Sequence, residues 1–219
     1  ATIVIHDASE LLALAEKCTL DTWSYGKTMV LANDIDLADI AYTSIPVFSG
    51  TFDGGGHTIR NLKIDYSGST LGFIRHVGRG GQIKNLHITG TVAPDGIREK
   101  VGGIAGQIHA PAIVRNVYNV GSVIGPEAGI GGIAGVLKGT LQNAYFLEGT
   151  ASNGVSSTEG TPTAEYASKT AEEMRSAEFA AILGEAFNND TDGINGGMPV
   201  LTWQGGSAEQ PNEIEIALL

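Results

Sequence analysis

Seven side chains in this sequence have the types and spacing of a recognition surface: Arg60, Lys63, Lys84, His87, Arg115, Tyr118 and Tyr145. They flank a recurring asparagine. Immediately before Asn61, Asn85, Asn116 and Asn143 stand Arg60, Lys84, Arg115 and Gln142; two residues after them stand Lys63, His87, Tyr118 and Tyr145. Tyrosine stacks on the apolar face of a sugar ring, and arginine binds hydroxyl or acid groups through paired hydrogen bonds. On one rigid sheet these rows would form a contact face for an extracellular glycan or a host surface protein, with little ordering cost on binding. A competing reading is a solvated sheet face, or one lying beneath a loop or neighbouring domain, since single exposed apolar groups are ordinary.

Other constellations suggest different chemistry. Asp190, Asp192 and Asn195 alternate around a glycine as calcium-loop oxygens do, but counting from Asn188 the twelfth position is Pro199 instead of glutamate. A polar turn accounts for the same residues. Asp34 and Asp36 share one strand face and have the same two readings, calcium or solvation. The five histidines occur in unrelated contexts, and no two stand three or four apart on a helix, so no zinc site or metalloenzyme is expected. Glycoside hydrolysis needs two carboxyl groups about 5–9.5 Å apart. The acids Asp65, Asp95, Glu99, Glu127 and Glu148 do not recur at one register, and Asp53 and His57 suit a turn-shaping role. Lys63 or Arg60 near Asp65 imitates a lyase site, yet a surface ion pair explains them equally. The expectation is a non-catalytic chain without a cofactor, calcium excepted.

The elements that must hold these rows repeat. Val101–Gly106 (VGGIAG) and Ile130–Gly135 (IGGIAG) each precede an asparagine segment, as Leu71–Ile74 does in divergent form, and the four asparagines are 24, 31 and 27 residues apart. Such a period implies stacked units, none able to bury its apolar face alone. Two residues before the asparagines stand Ile59, Ile83, Val114 and Leu141; one after stand Leu62, Leu86, Val117 and Ala144; three after stand Ile64, Ile88, Asn119 and Phe146. Alternation of that kind predicts parallel strands with an inward apolar set. Asparagine tolerates left-handed backbone angles, so Asn61, Asn85, Asn116 and Asn143 are expected to stack as one ladder.

The motifs NDIDL (Asn33–Leu37), GTFDGGGHTI (Gly50–Ile59) with Asn61-Leu62 behind it, the GGIAG blocks and the closing NGGMPVLTWQ (Asn195–Gln204) closely resemble GLUG-motif proteins of bacterial surfaces. Those repeats occur as non-catalytic stretches of large secreted Gram-positive proteins, including immunoglobulin A proteases and adhesin-like chains. Spanning Thr2 to Gln204, the resemblance implies an all-β fold, a short right-handed parallel β-helix.

Composition agrees with such a chain. Its 219 residues fit one domain, and 31 glycines suit tight turns. The net charge of −11 argues against nucleic acid or an anionic membrane as partner. One cysteine, Cys18, excludes an internal disulfide, and its helical spacing with Leu11, Leu14 and Ala15 makes it a small buried hydrophobe. No apolar run is long enough to cross a membrane, and neither a basic start nor an apolar leader is evident. Residues 1–44 read as a strand, a capping helix begun by Asp7 and Glu10 in a capping box, and a first strand; residues 45–148 read as the coils. Residues 149–204 read as a mobile loop (Gly149–Thr163), a second capping helix opened by Thr170 and Glu173, and a closing strand; residues 205–219 read as a linker or tail. The expected protein is a monomeric cell-surface interaction module of a longer secreted polypeptide, with a structural spacer or a β-helix polysaccharide lyase or glycosidase as alternatives.

Overall fold

A computed structural model describes the chain except residues 1, 97–98, 127, 189–197, 202–213 and 216–219. The calcium candidates Asp190, Asp192 and Asn195 lie outside the described residues, as does Trp203. β1 (Thr2–Ile5) leads through α1 (Ala8–Lys17) and α2 (Asp21–Ser24) to β2 (Thr28–Leu31) and β3 (Ile35–Asp36). The next turn holds β4 (Ile45–Phe48), β5 (Thr51–Asp53) and β6 (Thr58–Ile64), followed by β7 (Thr70–Leu71), β8 (Ile74–Val77) and β9 (Gln82–Val92). Two further turns carry β10 (Lys100–Gly102), β11 (Ala105–Ile108), β12 (Ile113–Asn119) and β13 (Ser122–Val123), then β14 (Ile130–Gly131), β15 (Ala134–Leu137) and β16 (Thr140–Leu147). The last turn is β17 (Val155–Thr158) and β18 (Thr163–Lys169). After it come α3 (Ala171–Met174), α4 (Ala177–Leu183), β19 (Phe187–Asn188), β20 (Val200–Leu201) and β21 (Ile214–Glu215).

These turns build a parallel β-solenoid of about five coils. A wide sheet runs β18-β16-β12-β9-β5-β2-β1-β21, a narrow sheet runs β17-β15-β11-β8-β4, and a corner sheet runs β14-β10-β7. Register follows the sequence alternation. Ile83, Val114 and Leu141 stand side by side, as do Leu86, Val117 and Ala144, and all six are buried. Each buried aliphatic contributes roughly 1.5–3 kcal/mol relative to exposure. Asn119 also faces inward, and it is satisfied there: its Nδ2 donates to the Gly132 carbonyl at 2.8 Å and its Oδ1 accepts from the Gly121 amide at 2.8 Å.

The repeated GGIAG block is the bend from corner sheet to narrow sheet, where coils meet backbone to backbone. A Cβ on Gly102 would lie 2.2 Å from the Ala105 carbonyl oxygen and 2.5 Å from the Ala134 Cα. No side chain fits that gap, which explains the motif without any role in chemistry.

α1 and α2 pack against β4, the last strand of the narrow sheet. Asp7 caps α1 by accepting from the Glu10 amide at 2.9 Å, while Glu10 reaches back to the His6 amide at 2.6 Å. The return bond of the expected box is therefore made one residue earlier than Asp7. Cys18 is fully buried and its thiol is pushed up to about 12, chiefly by burial, so it packs as a hydrophobe. Residues 149–163, expected to form a loop, contain β17 and lead into β18. At the other end, β21 pairs with β1, with Ile214 opposite Ile3.

Candidate functional site

The asparagine turns form two columns instead of one. Asn85, Asn116 and Asn143 share a turn of the wide sheet with φ of 56°, 52° and 52°. Asn143 Nδ2 donates to Asn116 Oδ1 at 2.9 Å, Asn116 Nδ2 to Asn85 Oδ1 at 3.4 Å, and Asn85 Nδ2 to Asp53 Oδ1 at 3.0 Å. Asn61 departs from the expected ladder. The Gly54–Gly56 turn advances β6 along its neighbour, so Thr58 stands opposite His87 and Lys63 opposite Thr91. Asn61 keeps the left-handed angle (φ 58°) but donates to Asp36 at 2.7 Å. An aspartate thus begins each column. The Asn61 hydrogen bond, with a second from the Ala38 amide, holds the Asp36 carboxyl below its ordinary range.

The same shift regroups the proposed contact rows. The row beyond the asparagines is Thr58, His87, Tyr118, Tyr145 and Ala167, and the row before them is Asp53, Lys84, Arg115 and Gln142. Lys63 and Arg60 belong to neither, because β6 is out of phase with β9. His87 and Tyr118 are sealed inside the protein at 1% and 0% exposure, where a bare contact face was expected. Their cover is the chain's own C-terminal segment: Met174, Phe179, Leu183 and Phe187 form a second apolar core on the outer side of the wide sheet. Phe179 meets Tyr118 and Tyr145 edge-on at 5.5 and 5.2 Å between ring centroids, and Tyr118 donates to the Pro199 carbonyl at 2.9 Å. His87 stacks flat on Tyr118 at 3.8 Å, and burial lowers its pKa to about 3, so the ring is neutral. The C-terminal helices therefore lie along the solenoid's flank. Thr170 and Glu173 exchange both bonds of the expected capping box, but the single helix expected after them is two, the second, α4, capped by Ser176.

The cations of the set are dispersed. Arg60 pairs with Asp34 at 3.1 Å, and Asp34 also accepts from the Thr58 amide at 2.9 Å and contacts His57 Nδ1 at 3.1 Å. Burial alone would raise the Asp34 carboxyl, but the His57 and Thr58 hydrogen bonds with Arg60 outweigh it and bring it below the usual range. These bonds account for Asp34 and His57 structurally. Lys84 pairs with Asp53 at 3.6 Å, Lys63 with Asp65 at 3.5 Å, and Arg115 is exposed. An open cleft of about 1050 Å³ lies where β6 meets the 37–43 loop, lined by Asn61, Lys63, Asp65, Tyr66 and Arg75 among others. On the outer side of the narrow sheet, His76 Nδ1 and His109 Nε2 are 3.1 Å apart. Among the described residues, no three of His, Cys, Asp and Glu converge as a metal group.

Comparison with known proteins adds one relative. The chain is similar to halomucin of Haloquadratum walsbyi, with 34% identity over 118 residues. That stretch is 53% of this chain and 1% of halomucin. No known protein family and no solved structure matches the chain.

The cover over Tyr118 was written in the sequence, divided between two distant places. Phe179 and Leu183 make an apolar patch on a helix too short to stand alone, and the tyrosine row offers it an aromatic face. Neither half names the other.

Proposed function

We propose that this chain is a non-catalytic structural module of a long extracellular or cell-surface polypeptide, a rigid spacer more than a receptor. The observation that carries this reading is the sealed aromatic row. Of the residues best suited to recognition, His87 and Tyr118 are buried and Tyr145 is half-buried against the apolar core that fastens the C-terminal segment to the solenoid. A solenoid holds its ends apart because each coil adds a fixed rise of about 4.8 Å. A 118-residue likeness to one hundredth of a very long chain fits a building unit of extended proteins. The resemblance to GLUG-motif surface proteins points the same way. Arg60 and Asp34, with His57, are spent on one another.

The test places the chain between a surface anchor and an epitope, and reads epitope height by distance-sensitive fluorescence. Height should stay fixed, and the purified chain should release no products from neutral or acidic polysaccharides. An epitope that collapses to the surface, or turnover of any polymer, overturns the reading.

A further inference from the structure

We propose that the outer side of the narrow sheet, centred on the His76–His109 pair, is a docking strip for an acidic polysaccharide carrying carboxylate or sulfate groups. The proposal goes beyond the spacer reading and stands or falls separately from it. Its first support is charge segregation. The chain has 24 acidic against 13 basic residues, yet four of those 13, Arg75, Arg79, Lys100 and Lys138, gather around the two histidines. The charges acting on His76 are His109, Lys100 and Arg75; those acting on His109 are Lys138, Lys100, Arg79 and a single carboxylate, Glu159.

Three of these cations are uncommitted. Arg75, Arg79 and Lys100 have no carboxylate partner among the described residues, and the Arg75 Nε is buried without an acceptor. Lys138 alone is paired, with Glu159 at 2.7 Å, on a carboxylate that is itself exposed. Uncompensated positive charge on a chain of net −11 attracts a polyanion locally, while the remaining surface repels it.

Geometry selects the kind of polyanion. Val77, Ile108, Leu137 and Thr158 are in register across β8, β11, β15 and β17. The next residue of each coil, Gly78, His109, Lys138 and Glu159, therefore climbs the same corner in steps of about 4.8 Å. That step is close to the length of one extended sugar ring, so a glycan along the solenoid axis sets neighbouring acid groups against His109 and Lys138, while Glu159 ends the column. Charges on a folded acidic protein lack this period. A single-stranded nucleic acid needs stacking platforms, and the row facing away from the solenoid core here is Val47, His76, Gln107, Val136 and Ser157, with Gln107 and Val136 buried beneath their neighbours.

The histidine pair adds a dependence on protons. One ring donates to the other, and burial together with Lys100, Arg75, Arg79 and Lys138 keeps both below the ordinary imidazole range, with Glu159 acting weakly against this at His109. A bound acid chain relieves that repulsion and raises both pKa values, so binding takes up protons and tightens as pH falls. Two nitrogens at this separation would also suit neighbouring positions on a transition metal, but the surrounding cations oppose one.

The full chain is tested against alginate, dextran sulfate, uncharged dextran, a single-stranded oligonucleotide and zinc. Retention on alginate, dextran sulfate or both is expected, with none on dextran, and the better of the two identifies the acid group. Binding should strengthen between about pH 8 and about pH 5. Arg79→Glu with Lys138→Glu should lose about tenfold or more in affinity, since charge-assisted contacts are reversed. Arg79→Gln with Lys138→Gln should lose less, and Arg115→Glu on the opposite sheet nothing. His76→Gln with His109→Gln should flatten the pH profile. No retention of either acidic glycan, undiminished binding by both charge variants, or equal loss with Arg115→Glu overturns the proposal. Tighter binding of the oligonucleotide, or stoichiometric zinc in place of glycan, overturns it equally.

Discussion

The wide and narrow sheets are built from the same coils, yet their outer sides have opposite fates. Outside the wide sheet, His87 stacks on Tyr118, Phe179 of α4 meets Tyr118 and Tyr145 edge-on, and Phe187 closes over Tyr118. Outside the narrow sheet, His76 and His109 remain half-buried among Arg75, Arg79, Lys100 and Lys138. Aromatic surface is costly to leave in water and recruits an apolar partner from the same chain; clustered cations are costly to bury, and here Arg79 is exposed and Arg75, Lys100 and Lys138 are half-buried. An outward position is thus either a second core or a surface, according to whether the side chains can lose their water.

Removing the anchor of the covered side should have the largest effect. Tyr118→Ala deletes a fully buried ring that three aromatic side chains touch. It should cost about 3–5 kcal/mol in a denaturant titration, and limited proteolysis should first cut beyond Lys169. A variant as stable as the parent would mean that the roof contributes nothing.

Acid should act on the same side. His87 has a folded pKa of about 3 against 6.5 for the free ring. Between those values the unfolded chain takes a proton that the folded chain refuses, so stability is complete above about pH 6.5 and falls towards pH 3. The slope from this group approaches about 1.4 kcal/mol per pH unit. Asp34, held below its usual range, adds loss of the same sign at the acid end. Melting curves of His87→Phe across this range should be flatter than those of the parent. Equal slopes would show that the ring is not the titrating group.

The asparagine columns give a smaller, graded comparison. Asn116→Ala forces an ordinary side chain into a left-handed angle and breaks the column on both sides, costing about 1–2 kcal/mol. Asn116→Gly should recover part of this in the same titration. Asn61→Ala interrupts a column of two and should shift the midpoint less. On the bare side, Lys138→Gln should leave the melting midpoint unresolved from the parent, because its partner Glu159 is exposed.

The sequence by itself determined the solenoid. A parallel stack requires like residues at like heights, so Ile83, Val114 and Leu141 betray the core, Asn85, Asn116 and Asn143 the turn, and the GGIAG glycines the points where coils touch. Thr170 and Glu173 equally marked a helix start, since a capping box is satisfied within four residues. Two matters were left to the tertiary structure. One is phase: the Gly54–Gly56 turn advances β6 along β9, which removes Asn61, Arg60 and Lys63 from the columns their spacing suggested. Strand register is set by turn geometry together with the hydrophobic pattern, and asparagine spacing alone does not reveal the turn's length. The other is cover. Side-chain alternation separates inward from outward, but outward means only away from the solenoid core. Whether water or Phe179 meets Tyr118 depends on a segment some sixty residues downstream folding back, and only the closed chain records that contact.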